Sequence, residues 1–280
     1  MKKKTKKRLI LLSAAVLLNI VLNTFGNALQ TLHYTLISGK ITTPVRIVFI
    51  SDLHNCTYGG KEQSEILDEI RTAAPDIVLF GGDVIDFQGN TENAHQLMKL
   101  TKESYPCAYA SGNHEALRKD TDTFYAETEA LGIPVLHGTY TDFTVNGQNL
   151  RICGIMDAID HPEQLEQCCD ALHTDQYTVL LAHQPEQLDV ILEECVHKNA
   201  HFDLILSGHA HGGQWRIPDL LEQGLYAPDQ GLFPEFTNGQ REFGGTFQIV
   251  SRGLAKPLRM ILIPRIFNRP ELSVIEILPA

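Results

Sequence analysis

Five short polar blocks, each placed directly after an apolar run, constrain the fold of this chain more than any other feature. From Val45 onward the runs are rich in β-branched residues and alternate with helical patterns, which is typical of a layered α/β domain. The carboxyl ends of the strands in an open α/β sheet meet at one edge, so blocks far apart in sequence are expected to lie together. The five blocks are Asp52-Leu53-His54, Gly82-Asp83-Val84-Ile85-Asp86, Gly112-Asn113-His114-Glu115, Ala182-His183 and Gly208-His209-Ala210-His211.

The chemistry of these blocks is that of a metal site. Their candidate ligands and bases comprise two aspartates, one asparagine and five histidines, without a thiolate. Carboxylate oxygen combined with imidazole nitrogen suits Mn, Fe or Zn. Two such ions roughly 3.5–4 Å apart can hold an attacking hydroxide between them and neutralise the charge that grows on a phosphoryl group. The blocks therefore predict hydrolysis of a phosphoester.

The remaining pattern predicts a mixed sheet, several strands and one long loop. Asn146-Gly147 lies between two β-branched runs and predicts a hairpin with a tight turn, because both residues tolerate positive φ. Residues 216–244 are rich in Pro, Gly and aromatic residues and are expected to form a functional loop or lid. The strand candidates are residues 46–50, 77–80, 108–110, 135–136, 178–182, 204–206, 246–250 and 272–277, and Pro185–Cys195 is a helix candidate.

From about Arg46 to the C-terminus, the ordered blocks resemble the five motifs of the calcineurin-like metallophosphoesterase superfamily. The resemblance implies a four-layer α/β/β/α sandwich of two mixed β-sheets. Residues 208–214, Ser251-Arg252-Gly253-Leu254 and residues 265–271 further resemble the membrane-associated bacterial branch. That branch includes hydrolases of lipid-linked pyrophosphates such as UDP-diacylglucosamine.

The resemblance also implies a role for each candidate residue. His114 would be the acid that protonates the leaving group, and no substrate-binding residue follows from the motifs. Asp86 and Glu115 either orient neighbouring site residues or cap a helix. Trp215 is expected to pack in the core; the alternatives are stacking on a substrate base and contact with a lipid. The implied metal ligands are Asp52, His54 and His211 on one ion, Asn113, His183 and His209 on the other, and Asp83 bridging both.

The N-terminus has the layout of an export signal. Six basic residues precede Leu9–Leu22, a run of fourteen residues that is apolar apart from two positions. Residues 1–30 are expected to be a signal-anchor or a cleaved signal peptide; a buried helix of a cytosolic protein is the third alternative. Residues 31–44 are expected to be a linker, and residues 45–280 the catalytic domain. Because positive charges stay on the cytoplasmic side, the catalytic domain is expected outside the cytoplasm, either held at the cell membrane or secreted.

The net charge of the chain restricts the classes of molecule that it can bind. The formal net charge is -11, and without the six N-terminal basic residues, 17 basic residues face 34 acidic ones. Such a body repels a phosphate backbone, so no nucleic-acid partner is expected. The six cysteines show no zinc spacing and predict no particular disulfide, and nothing in the sequence predicts an oligomeric state.

Two functions remain after this reasoning. The first is a dinuclear metal-dependent phosphoesterase that acts on a phosphoester or pyrophosphate, on a small molecule or on a lipid-linked or cell-envelope phosphate. The second is a non-catalytic metal-binding scaffold of the same fold. Loss of ligands would favour the scaffold, whereas every implied ligand and His114 are present.

Overall fold

The structure is a computed structural model that describes residues 3–26, 28–172, 175–256 and 265–280. The helices among these residues are α1 Lys3–Gly26, α2 Ser64–Ala73, α3 Glu92–Lys102, α4 Asn113–Ala116, α5 Thr121–Ala130, α6 Pro162–Asp170 and α7 Leu188–Lys198. The strands are β1 Gln30–Ser38, β2 Val45–Ile50, β3 Ile77–Gly81, β4 Cys107–Ala110, β5 Thr139–Val145, β6 Gln148–Ile155, β7 Tyr177–Ala182, β8 Leu204–Ser207, β9 Tyr226–Ala227, β10 Gly231–Leu232, β11 Gly239–Phe243, β12 Thr246–Val250 and β13 Glu271–Pro279.

Two mixed sheets form the centre of the fold. The first has the strand order β1-β13-β2-β3-β4, and the second has the order β11-β12-β8-β7-β6-β5. Strands β2, β3 and β4 are parallel, as are β6, β7, β8 and β12, whereas β13 pairs antiparallel with β2. The expected α/β fold with two mixed sheets is confirmed.

Strand β2 shows how the layers arise from the sequence. Successive side chains of a strand point to opposite faces, so a strand buried on both faces is apolar throughout. Ile47 and Phe49 pack between the two sheets against apolar residues of β7 and β8. Val48 and Ile50 pack on the opposite face against α2, α3 and α5. Helices α6 and α7 cover the outer face of the second sheet, which completes four layers.

The predicted hairpin is present, and its turn has the predicted backbone conformation. Strands β5 and β6 pair antiparallel, with Val145 opposite Gln148. Asn146 and Gly147 both have positive φ, 49° and 74°. The predicted helix at Pro185–Cys195 begins as a short 3₁₀ turn at Pro185–Gln187 and continues as α7.

Three local predictions differ from the structure. Residues 31–44 contain most of β1, which pairs in parallel with β13, so the linker prediction is wrong there. The pairing joins residues about 240 positions apart, and no local pattern reveals it. Residues 135–136 contribute only an isolated bridge between Val135 and Tyr109. Residues 216–244, predicted as a loop, contain the short strands β9, β10 and β11.

The export signal expected at residues 1–30 stays a prediction. Among the described residues, no helix combines the length and apolar character needed to cross a membrane. Lys2 and Asn27, which belong to the expected export signal, lie outside the described residues. All six cysteines are buried, and none of them forms a disulfide.

Candidate metal centre

The seven candidate ligands lie at the carboxyl ends of strands from both sheets. Asp52 and His54 follow β2, Asp83 follows β3, and Asn113 follows β4. In the second sheet, His183 follows β7, and His209 and His211 follow β8. The backbone N–H of His209 donates to Asp52 Oδ1 at 2.9 Å and thereby joins the two sheets at this edge.

Five of the seven candidates have a left-handed backbone conformation, which is uncommon for residues other than glycine. Loop hydrogen bonds support this geometry: the Asp52 N–H donates to Gly82 O and the His54 N–H to Asp83 O. Such conformations concentrate at functional sites, where the surrounding structure holds them in place. The five residues are Asp52, His54, Asp83, His209 and His211.

The side chains form two buried groups. In one group, ligand atoms of Asp52, His54 and His211 lie within 4.8 Å of one another, and in the other the same holds for Asp83, His183 and His209. These six residues divide as the family resemblance implies, with Asp83 in the second group. Asn113, the seventh implied ligand, is the first residue of α4. The ligand roles themselves stay predictions.

Asp83 lies between the two groups. Its Oδ2 atom is 3.2 Å from His183 Nε2 and 3.7 Å from His54 Nε2. Burial alone would raise the pKa of Asp83, but the imidazoles of His183, His114 and His54 hold it well below its usual range. The carboxylate is therefore ionised and placed to bridge two cations.

The residues at this edge fit a metal centre. Buried oxygen and nitrogen atoms without a hydrogen-bond partner include Asp52 Oδ2, His54 Nε2 and Asn113 Oδ1. Leaving such atoms unpaired is costly, and metal coordination removes that cost. Burial disfavours the charged form of His183, yet the Asp83 and Asp52 carboxylates raise its pKa to about 10, so the site attracts a cation.

Further hydrogen bonds hold the imidazoles in one orientation. His54 Nδ1 lies 2.7 Å from Asp86 Oδ1, and His183 Nδ1 lies 2.8 Å from Gly81 O. An imidazole that donates its Nδ1–H leaves the lone pair on Nε2 for a metal. Of the two alternatives for Asp86, the structure therefore supports orientation of a ligand.

Glu115 supports the loop that carries Asp83. Its carboxylate accepts hydrogen bonds from the backbone N–H groups of Gly112, Asp83 and Ile85. Burial, followed by the Asp83 charge, raises the pKa of Glu115 to about 6. Glu115 thus caps α4 and also fixes the neighbouring loop.

His114 lies beside the two groups and reaches solvent. About a quarter of its side chain is exposed, and its Nε2 lies 3.9 Å from Asp83 Oδ2. Its Nδ1 lies 3.5 Å from Asp86 Oδ1. Burial lowers the pKa of His114, but Asp86 and Asp83 outweigh it and raise the pKa above its ordinary value. A protonated imidazole at this position can act as a general acid.

Several residues near the ligands were not found from the sequence. Asp229 Oδ2 lies 2.8 Å from His209 Nε2, and Glu186 Oε1 lies 3.9 Å from the same nitrogen. Arg265 is buried, with its Nη2 3.5 Å from His211 Nδ1. Two sequence signals were available: Asp229 lies within the loop predicted to be functional, and Arg265 begins the segment that resembles the membrane-associated branch. Glu186 had no motif around it.

Trp215 differs from the expectation of core packing. About two fifths of its surface is exposed, and its backbone bridges to Ile266. Trp215 closely follows the loop that carries His209 and His211. The Gly213 carbonyl accepts hydrogen bonds from the N–H groups of Trp215 and Leu225 and fixes the backbone there.

Comparison with known proteins identifies the family. The family model described as calcineurin-like phosphoesterase matches residues 45–213. The chain belongs to this family. The predicted resemblance is thereby confirmed, and membership makes the protein a metal-dependent phosphoric ester hydrolase.

Individual relatives agree with this membership. The chain is 29% identical to the uncharacterized protein YpbG of Bacillus subtilis over 195 residues, covering 69% of this chain and 71% of the relative. It is 27% identical to phosphodiesterase YaeI of Escherichia coli over 243 residues, covering 84% and 82%. The solved structure of TT1561 from Thermus thermophilus aligns with a TM-score of 0.52 at 13% identity, covering 77% of this chain and 92% of that one. This last similarity concerns the fold alone.

Proposed function

We propose that the protein hydrolyses a phosphoester or pyrophosphate bond at a dinuclear metal centre. The observation that carries the proposal is the position of the Asp83 carboxylate, within 4 Å of an imidazole nitrogen from each ligand group. One ion would be held by Asp52, His54 and His211, the other by Asn113, His183 and His209, with Asp83 shared. Two Mn, Fe or Zn ions supply the charge that activates water and neutralises the phosphoryl group.

The chain's own residues complete the reaction. His114 faces the metal centre from the solvent side and gives a proton to the departing oxygen. Asp86 holds both His54 and His114, since its Oδ1 lies 2.7 Å and 3.5 Å from their Nδ1 atoms. One carboxylate therefore positions a metal ligand and the general acid together.

The proposed natural substrate is a lipid or cell-envelope phosphate at the outer face of the membrane. The support is the basic cluster followed by the apolar run at the N-terminus, which favours export with the catalytic domain outside the cytoplasm. Exposed apolar residues beside the site agree with a substrate that has acyl chains.

A substrate panel on reconstituted protein tests the proposal. The panel contains an aryl phosphate, an aryl phosphodiester and a lipid pyrophosphate, each assayed after loading with Mn, Fe or Zn. We expect hydrolysis that disappears on chelation and in Asp83→Asn, whereas Asp68→Asn on the exposed face of α2 retains it. Full metal loading without turnover of any ester would instead support the scaffold.

A further inference from the structure

Large apolar side chains are exposed on the segments next to the metal centre. Exposure reaches 78% at Leu220 and 70% at Phe233. Isolated exposed apolar residues are common on soluble proteins, but a contiguous group indicates an interaction surface. Other exposed apolar residues of the described body lie on different elements, such as Ile37 of β1 and Val196 of α7. The group, named here the apolar rim, comprises Trp215, Ile217, Leu220, Leu232, Phe233 and Phe267.

Backbone hydrogen bonds make the apolar rim one layer. The Arg216 N–H donates to Ile266 O at 2.9 Å, which places Phe267 next to the strand-like segment of Trp215. The Leu225 N–H donates to Trp215 O, and the Phe233 N–H donates to Leu225 O. Segments paired in this way lie about 5 Å apart, so they are neighbours in space, and the Leu220 N–H, which donates to Ile217 O, places Leu220 beside them.

The layer is joined directly to the metal centre. Asp229 lies in the turn between β9 and β10, and its carboxylate contacts His209 Nε2 at 2.8 Å. Leu232 and Phe233 follow on the other side of the same turn. A surface that contacts the apolar rim therefore also contacts the loop that borders the ligands.

The same layer adjoins the point where the chain leaves the N-terminal helix. Arg269, two residues after Phe267, donates hydrogen bonds to Ala28 O and Leu29 O. Helix α1 itself exposes large apolar side chains at Ile10, Leu11, Leu12, Val16, Leu17, Leu18 and Val21. The apolar rim and the end of the apolar N-terminal segment thus meet at one corner of the body.

A polar cavity opens within the apolar rim. Its volume is about 400 Å³, and Ile217 and Phe267 line it together with Arg216 and Arg252. Burial and the neighbouring Arg252 lower the pKa of Arg216 to about 10, Glu271 and Glu222 oppose this shift, and Asp219 and Glu222 also line the cavity. Arginine beside exposed apolar side chains is the combination that suits the head-group region of a bilayer.

We propose that the apolar rim docks on the surface of a phospholipid bilayer, so that the metal centre faces the lipid head groups. The docking proposal rests on the proposed function, which supplies a lipid phosphate as the substrate. The bilayer is favoured over a second copy of the chain because the apolar N-terminal segment, with its basic cluster, enters the body at the same corner.

The fluorescence of Trp215 can be used to measure this docking. Trp215 is the single tryptophan of the chain and belongs to the apolar rim. The full-length protein is mixed with phosphatidylcholine–phosphatidylglycerol vesicles, with and without bromine on the acyl chains. We expect a blue shift of the Trp215 emission and quenching by the brominated lipid, because bromine quenches only on close approach.

Matched variants separate the apolar rim from the N-terminal segment. Leu232→Ser with Phe233→Ser should weaken the quenching response to vesicles at least about tenfold, since each buried large side chain contributes more than one factor of ten to partitioning. Val196→Ser, which removes an 82% exposed side chain from α7, should not change it.

Two outcomes would overturn the docking proposal. The first is cosedimentation with vesicles while Trp215 remains unquenched, which would assign binding to the N-terminal segment alone. The second is a blue shift that depends on protein concentration without lipid, which would assign the surface to a second copy. Hydrolysis of a soluble aryl ester is measured on the same samples, and its absence would contradict the proposed function while leaving the docking result interpretable.

Discussion

The Asp86 carboxylate lies 2.7 Å from His54 Nδ1 and leaves Nε2 of that imidazole directed at the metal centre. Asp86→Asn removes the charge that holds this orientation. We expect metal affinity to fall about 10- to 100-fold, the usual effect of losing such a partner. Metal titration of the chelated protein measures the effect, with Asp68→Asn as a control at an exposed carboxylate. Identical affinities for the native and Asp86→Asn proteins would show that Asp86 does not orient His54.

His114 is expected to act as the general acid of the reaction. Asp86 and Asp83 raise the pKa of His114 above its ordinary value, which favours the protonated imidazole, and a general acid matters most when the leaving group is poor. His114→Ala should lower kcat/KM about 10²- to 10⁴-fold on an alkyl phosphate and much less on an activated aryl phosphate. Metal content, measured on the same preparation, should not change. Equal losses on both esters, or loss of a metal, would remove His114 from the acid role.

Gly253 supports Asp52 through its lack of a side chain. Its φ is +67°, and a Cβ atom there would lie 2.5 Å from Asp52 Cβ. Gly253→Ala should therefore displace Asp52 and reduce metal binding. Gly60→Ala is the matched control, because Gly60 has a similar φ of +79° with open space around it. Metal content and thermal unfolding of both variants check the prediction; equal metal loss in the two would indicate backbone strain alone as the cause.

The stability of the fold at acid pH depends partly on His95. Burial lowers the pKa of His95, with Glu127 opposing this effect, so the folded protein binds the proton less readily than the unfolded chain. A depressed folded-state pKa means that stability is lost as the pH falls below about 6.5, the ordinary value. His95→Gln should flatten this part of the curve of unfolding free energy against pH. The comparison is made by denaturant unfolding at fixed metal loading, and an unaltered curve in the variant would exclude His95 as a contributor.

The sequence predicted the layers of the fold and the gathering of the candidate ligands at the strand ends, for physical reasons. Asp52, Asp83 and His183 each follow a strand buried on both faces, and such strands are continuous apolar runs that can be recognised locally. The sequence pattern did not predict β1 or the contacts of Asp229 and Arg265. These depend on pairings between distant parts of the chain: β1 with β13, a loop with His209, and the C-terminal segment with His211. The Trp215 prediction failed because large aromatic residues are usually buried, whereas this one belongs to the apolar rim.

The central claim is that one carboxylate joins two metal ions in this chain. Measuring metal stoichiometry by mass spectrometry in the native protein and in Asp83→Asn tests it most directly, with Asp68→Asn prepared in parallel. The account predicts two ions per chain in the native and Asp68→Asn proteins, and reduced occupancy of both positions in Asp83→Asn, because Asp83 Oδ2 lies 3.2 Å from His183 and 3.7 Å from His54. At most one ion in the native protein, or two fully occupied positions in Asp83→Asn, would contradict it.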